Sequence, residues 1–165
     1  MTAPRPVCHV ARPDMDLART LADNARGFLH ALPGHANDRQ LQDRFHRLAI
    51  ALELALKSFL IARGHTDDAN RRIGHDLRRA AQIAAGEGLA IPLAIDNVIA
   101  DTHPFFMQGG FHRERRSNWC RHRADLAAIG LEALLRKADR LCGRSPACAV
   151  LGEVCEGRPS DQPQR

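Results

Sequence analysis

The chain contains no tyrosine, one tryptophan and six phenylalanines, so aromatic residues make up 4% of its 165 positions. Sandwiches and barrels build their cores from β-branched and aromatic side chains, and this scarcity argues against an all-β fold. Lysine is almost as rare, because all but two of the 24 basic residues are arginine, the exceptions being Lys57 and Lys137. No Gly-rich dinucleotide fingerprint, Walker sequence or H-E-x-x-H motif is present, which removes the commonest nucleotide and zinc-protease signatures. No apolar run reaches the ~20 residues that a membrane-spanning helix needs. The longest run, residues 48–62, is broken by Glu53 and Lys57. Residues 1–16 hold Pro4, Pro6 and Pro13 and no apolar stretch, so no secretory leader is expected and the protein is assigned to the cytoplasm. The five cysteines, Cys8, Cys120, Cys142, Cys148 and Cys155, form no C-x-x-C pair and read as reduced thiols. Cys142, Cys148 and Cys155 lack the close ligand pairs of a zinc site, and neither a metal nor another cofactor is expected.

Alanine, leucine and arginine set the composition, and all three favour helix. The apolar pattern predicts an all-α protein, an antiparallel up-and-down bundle of four to five helices occupying residues 14–142, after a loose leader at 1–13 and before a weakly ordered tail at 143–165. Asp14 is expected to cap a first helix with Leu17, Leu21, Ala25, Phe28, Leu29 and Leu32 facing inward. Asn37 or Asp38 would cap a longer one, in which Leu41, Phe45, Leu48, Leu52, Leu56 and Phe59 alternate steps of four and three until Gly64. Residues 66–73 read as at most a short helical turn. A third main helix follows His75-Asp76 and stops at Gly86 and Gly88, and a fourth begins after Pro92. The stretch from His103 to Phe111 mixes breakers with aromatics and reads as an ordered loop or kinked segment. A last helix, about 118–141, is expected to turn Leu126, Ile129, Ala133 or Leu134, Ala138 and Leu141 inward.

The second helix carries a further line of residues. With Glu53 at the origin and ~100° per residue, Arg39, Gln42, His46, Glu53 and Lys57 fall together, well away from the apolar stripe. Residues 48–62 are otherwise apolar nearly all round and should be covered on most sides. Glu53 and Lys57 stand four apart in the favourable order, which on an exposed face contributes only ~0.3–0.5 kcal/mol. Covered by neighbouring helices, the same pair would need a third polar partner or a role. Two other clusters are candidates. Arg71 and Arg72 beside His75-Asp76 could seat an anion at the start of the third helix. Arg113, Arg115 and Arg116, continuing through Trp119 to Arg121, His122 and Arg123, form the densest basic stretch, with Trp119 available for stacking on RNA. The formal net charge of +5 points the same way.

Leu52-Glu53-Leu54-Ala55-Leu56-Lys57-Ser58-Phe59-Leu60, then Gly64, Gly74-His75-Asp76-Leu77, Ala84 and Gly88-Leu89, resemble the HEPN superfamily of small helical domains over roughly residues 39–119. The resemblance implies a helical bundle, often dimeric, of the kind found among RNA-cleaving toxins, defence and stress modules and partners of nucleotidyltransferases. Glu53, Lys57, His75 and Asp76 would then be its polar framework. Ribonuclease members carry an arginine followed by a histidine with four to six residues between them. Arg116 and His122 match that spacing, as do Arg39 and His46, and on this resemblance Arg116 and His122 would form a metal-independent catalytic pair. Two readings of different class therefore stand: a dimeric RNA-linked binding or regulatory module, with an antitoxin or nucleotidyltransferase as partner, and a toxin-like endoribonuclease. A third is a nucleotide- or anion-binding bundle that grips phosphate through Arg71, Arg72 and His75.

Overall fold

The structure is a computed structural model that describes residues 12–32, 37–112 and 119–143. Among them the chain is entirely helical: α1 (Met15–His30), α2 (Asp38–Ala62), α3 (Asp67–Ile73), α4 (Leu77–Gly86), α5 (Leu93–Gln108), a 3-10 turn (Gly110–His112) and α6 (Arg121–Leu141). No helix among the described residues is long and apolar enough to cross a membrane.

The helix starts follow local chemistry. Asp14 caps α1 by accepting from the Leu17 N–H. Asn37 and Gln40 form a reciprocal capping box on α2. Thr66 accepts from Ala69 N and Asp76 from Arg79 N, so short sequences become the defined helices α3 and α4.

α2 is the central rod and touches every other helix and the 3-10 turn. Of the stripe that its spacing predicts, Phe45, Leu48, Leu52, Leu56 and Phe59 are buried and Leu41 is half-buried. α1 lies along it through Ala18, Ala22, Ala25 and Leu29, while Leu17 and Leu21 flank that line and pack in a smaller cluster with Ile61, Ala62 and Cys142. Small side chains let the two backbones approach, and the buried Ser58 hydroxyl donates to the Ala18 carbonyl at 2.7 Å. That bond fixes the axial register of α1 on α2.

Two expectations are corrected. Of the two readings of His103 to Phe111, a loop or a kinked segment, the loop is overturned as far as Gln108, because α5 continues through Pro104. Pro104 lies on the exposed side, as does Ala100, so the Ala100 carbonyl deprived of its bond meets water. Buried Phe105 anchors the turn, and Thr102 Oγ1 donates to the Val98 carbonyl at 2.6 Å. In α6 Leu134 and Ala138 face inward as expected, together with Ala124, Ala127, Leu131 and Leu135, whereas Leu126 and Ile129 are 43% and 66% exposed. The crossing with α5 is close there: a Cβ on Gly130 would stand 3.1 Å from the Ile95 side chain, which would have to give by a few tenths of an ångström. Small residues, Ala124, Ala127, Gly130 and Ala138, share the buried face of α6 with Leu131, Leu134 and Leu135.

Candidate functional site

The polar line of α2 faces a wall made by the α3–α4 connection, α5 and the 3-10 turn. At its start Gln42 donates its amide N–H to the Phe111 carbonyl. One turn on, the His46 ring stacks on Phe111, with centroids 4.7 Å apart and planes 19° apart. Glu53 is only 7% exposed. Its Oε1 accepts from Lys57 Nζ at 2.6 Å, and its Oε2 faces His75 Nδ1 at 2.9 Å. The covered pair thus has its third polar partner, supplied by a different element.

His75 reaches Glu53 because of the turn that precedes it. Gly74 has φ 62 and ψ −132, a region essentially restricted to glycine, and it reverses the chain immediately after α3. Asn70, itself buried, donates to the Lys57 carbonyl at 3.2 Å and pins α3 to α2 one turn beyond Glu53. Asp76, besides capping α4, lies 3.7 Å from His103 Nδ1 on α5. The four framework residues named from the sequence therefore meet at one place: Glu53, Lys57 and His75 in direct contact, and Asp76 beside them as a helix cap.

Nδ1 of His75 is engaged by Glu53, and Nε2 is the ring's other hydrogen-bonding nitrogen. The His75 side chain is 69% exposed, which leaves that second nitrogen available to a ligand. Its ring meets Phe106 of α5 edge-on at 5.3 Å. Beside them opens a groove of about 510 Å³. Phe28, Ile50, Leu54 and Phe106 form its apolar walls, and Asn24, His46, Glu53 and His75 supply its polar groups. Chemically, it combines aromatic and aliphatic walls with an imidazole held by a carboxylate and a second imidazole.

The other candidates are placed elsewhere. Arg71 is 75% exposed and pairs with Asp67 at 2.7 Å on the outer side of α3; Arg72 is exposed as well, and neither lines the groove. Trp119 is not a free stacking platform, because its ring packs on Phe45 at 4.2 Å and on Phe105 and Phe111, inside the aromatic cluster that closes the bundle. His122 is exposed in the first turn of α6 and does not line the groove. Arg113, Arg115 and Arg116 lie outside the described residues, as do Cys8, Cys148 and Cys155. Among the described residues, no group of three or more histidine, cysteine, aspartate or glutamate side chains is arranged to hold a metal.

Sequence reasoning left Asn24, Phe28, His46 and Phe106 out of the site. For His46 a signal exists, since it stands on the polar line seven residues before Glu53. Phe106 was hidden by Pro104 and the glycines around it, and Asn24 and Phe28 carry no local signature at all. Comparison of the chain with protein-family models, with curated proteins and with solved structures finds no match in any of the three.

Proposed function

We propose that this protein is a HEPN-like bundle of up-and-down helices that works in the cytoplasm as a dimeric, RNA-linked binding or regulatory module in defence or stress. The observation that carries the reading is the contact of Glu53 with both Lys57 and His75. It joins the two separate stretches on which the resemblance rests, 52–60 and 74–77, through a buried carboxylate that an ordinary surface pair would not need. The aromatic walls of the groove and the arginine-rich surface suit a single-stranded RNA, whose bases stack on aromatic faces while its phosphates meet guanidinium groups. An antitoxin or nucleotidyltransferase is the protein partner this reading entails. Fluorescence anisotropy with labelled single-stranded RNA tests it: binding that weakens steeply with salt is expected, and no binding at low salt overturns it.

A second reading, metal-independent RNA cleavage, is favoured by the two imidazoles that line one groove. In that chemistry one histidine takes the proton of a ribose 2′-hydroxyl as the oxygen attacks the adjacent phosphorus. The other gives a proton to the departing 5′-oxygen, leaving a cyclic phosphate. Arg116 and His122 remain the competing pair for the same reaction, with the arginine countering charge on the phosphorus. Incubation with total RNA in EDTA decides between them: loss of cleavage in His75→Ala assigns the groove, loss in His122→Ala assigns the α6 pair, and an inert wild type ends the enzymatic reading.

A further inference from the structure

We infer that the groove beside His75 seats one planar, uncharged nitrogen heterocycle of nucleobase size. Its volume of about 510 Å³ lies within the ~300–1,000 Å³ that single small ligands occupy. The charges decide the class of ligand. Glu53 sits on the floor with its charge matched by Lys57, so the floor offers neither a net anion to attract a cation nor a spare cation to hold an anion. An anionic ligand would meet the carboxylate, and a cationic one would compete with Lys57 and His75 for an acceptor already engaged twice. What the groove does offer is hydrogen-bonding edges and flat surfaces. His75 Nε2, with Nδ1 tied to Glu53, is open to a hydrogen bond with a ring or exocyclic group. The Asn24 amide can both donate and accept, and it lies on the exposed side of α1 at the rim. Phe28 and Phe106 contribute aromatic surface that a ring can stack on or pack against. A purely aliphatic ligand would use the walls and leave these edges unmet, whereas a sugar would do the reverse.

The inference rests on the RNA-linked reading only for the source of the heterocycle, which is either an unstacked base of a strand or a free nucleoside. Titration of the full-length wild-type protein with adenosine, guanosine, cytidine and uridine, followed by heteronuclear NMR of the histidine rings and the Asn24 side-chain amide, tests it directly. Saturable shifts of His46, His75 and Asn24 with at least one nucleoside are expected. Shifts confined to other residues, or none up to the solubility limit, overturn it. Phe106→Ala should weaken the binding about tenfold or more. Because Phe106 also packs on Phe111, Asn24→Ala on the exposed rim provides a second variant that leaves the fold alone. It should weaken binding several-fold, and unchanged affinity in both variants overturns the seat. A short RNA with one abasic position then separates the sources. Weaker binding than the intact strand, with the His75 shift lost, identifies a strand base as the occupant. Equal binding of both strands beside nucleoside shifts at His75 identifies a free ligand. RNA binding without any nucleoside or base dependence keeps the RNA-linked reading and removes this inference.

Discussion

Two sets of charged groups inside this bundle look alike as ion pairs and differ in consequence. Arg26 with Asp139 and Arg44 with Asp125 tie α1 and α2 to α6. The guanidinium of Arg19 adds a 2.9 Å bond to the Cys142 carbonyl at the end of α6. These pairs run between helices, and their role is to hold the last helix in place. Glu53, Lys57 and His75 instead leave an imidazole 69% exposed at the mouth of a groove. Burial of charge by itself does not mark a site. A buried charge that orients an open hydrogen-bonding group does.

Substitutions sharpen this contrast, with the largest effect expected where no open group exists. Asp139→Ala takes from the Arg26 guanidinium, whose side chain is 17% exposed, its partner on α6 and leaves it the 3.3 Å pair with Asp23 on its own helix; it should lower the unfolding free energy in urea by about 3 kcal/mol without changing binding in the groove. Glu53→Gln removes the charge partner of Lys57 and the acceptor that orients His75. It should cost about 2 kcal/mol and, unlike Asp139→Ala, also reduce ligand or RNA binding measured at equal folded fraction. Gly74→Ala forces a Cβ into a backbone region that disfavours it and should cost about 1–2 kcal/mol, with His75 pulled from Glu53 and its ring signals moved in the NMR spectrum. Asp125→Ala should cost less than about 1 kcal/mol, because its side chain is 49% exposed and water replaces part of the lost pair. His75→Ala is expected to leave the urea midpoint nearly unchanged while abolishing binding in the groove. Equal stability losses for His75→Ala and Asp139→Ala would erase the distinction between the two clusters.

The parts legible in the sequence share one property. The apolar stripe of α2, the caps Asp14 and Asn37, and the covered state of Glu53 and Lys57 are all set by residues within two or three turns of one another. The parts that were missed depend on distant neighbours. In α6 Leu126 and Ile129 fall outside the buried face, where Gly130 packs close to Ile95 and alanines take inward places, a preference invisible when hydrophobicity is judged by side-chain size. α5 passes through Pro104 because Phe105 is anchored elsewhere in the core. Trp119 reads as a stacking residue beside arginines, yet Phe45, Phe105 and Phe111 claim it for the core.

The amino-acid order by itself determined that this chain is helical, where most helices begin, and that one helix must be covered on more than its main apolar face, since period and capping are local properties of the backbone. Only the tertiary structure decided what covers that second face. Bringing His75, Phe106 and Phe28 to the side of Glu53 depends on how α1, α4 and α5 cross α2, and a crossing is selected by packing among residues far apart in the chain.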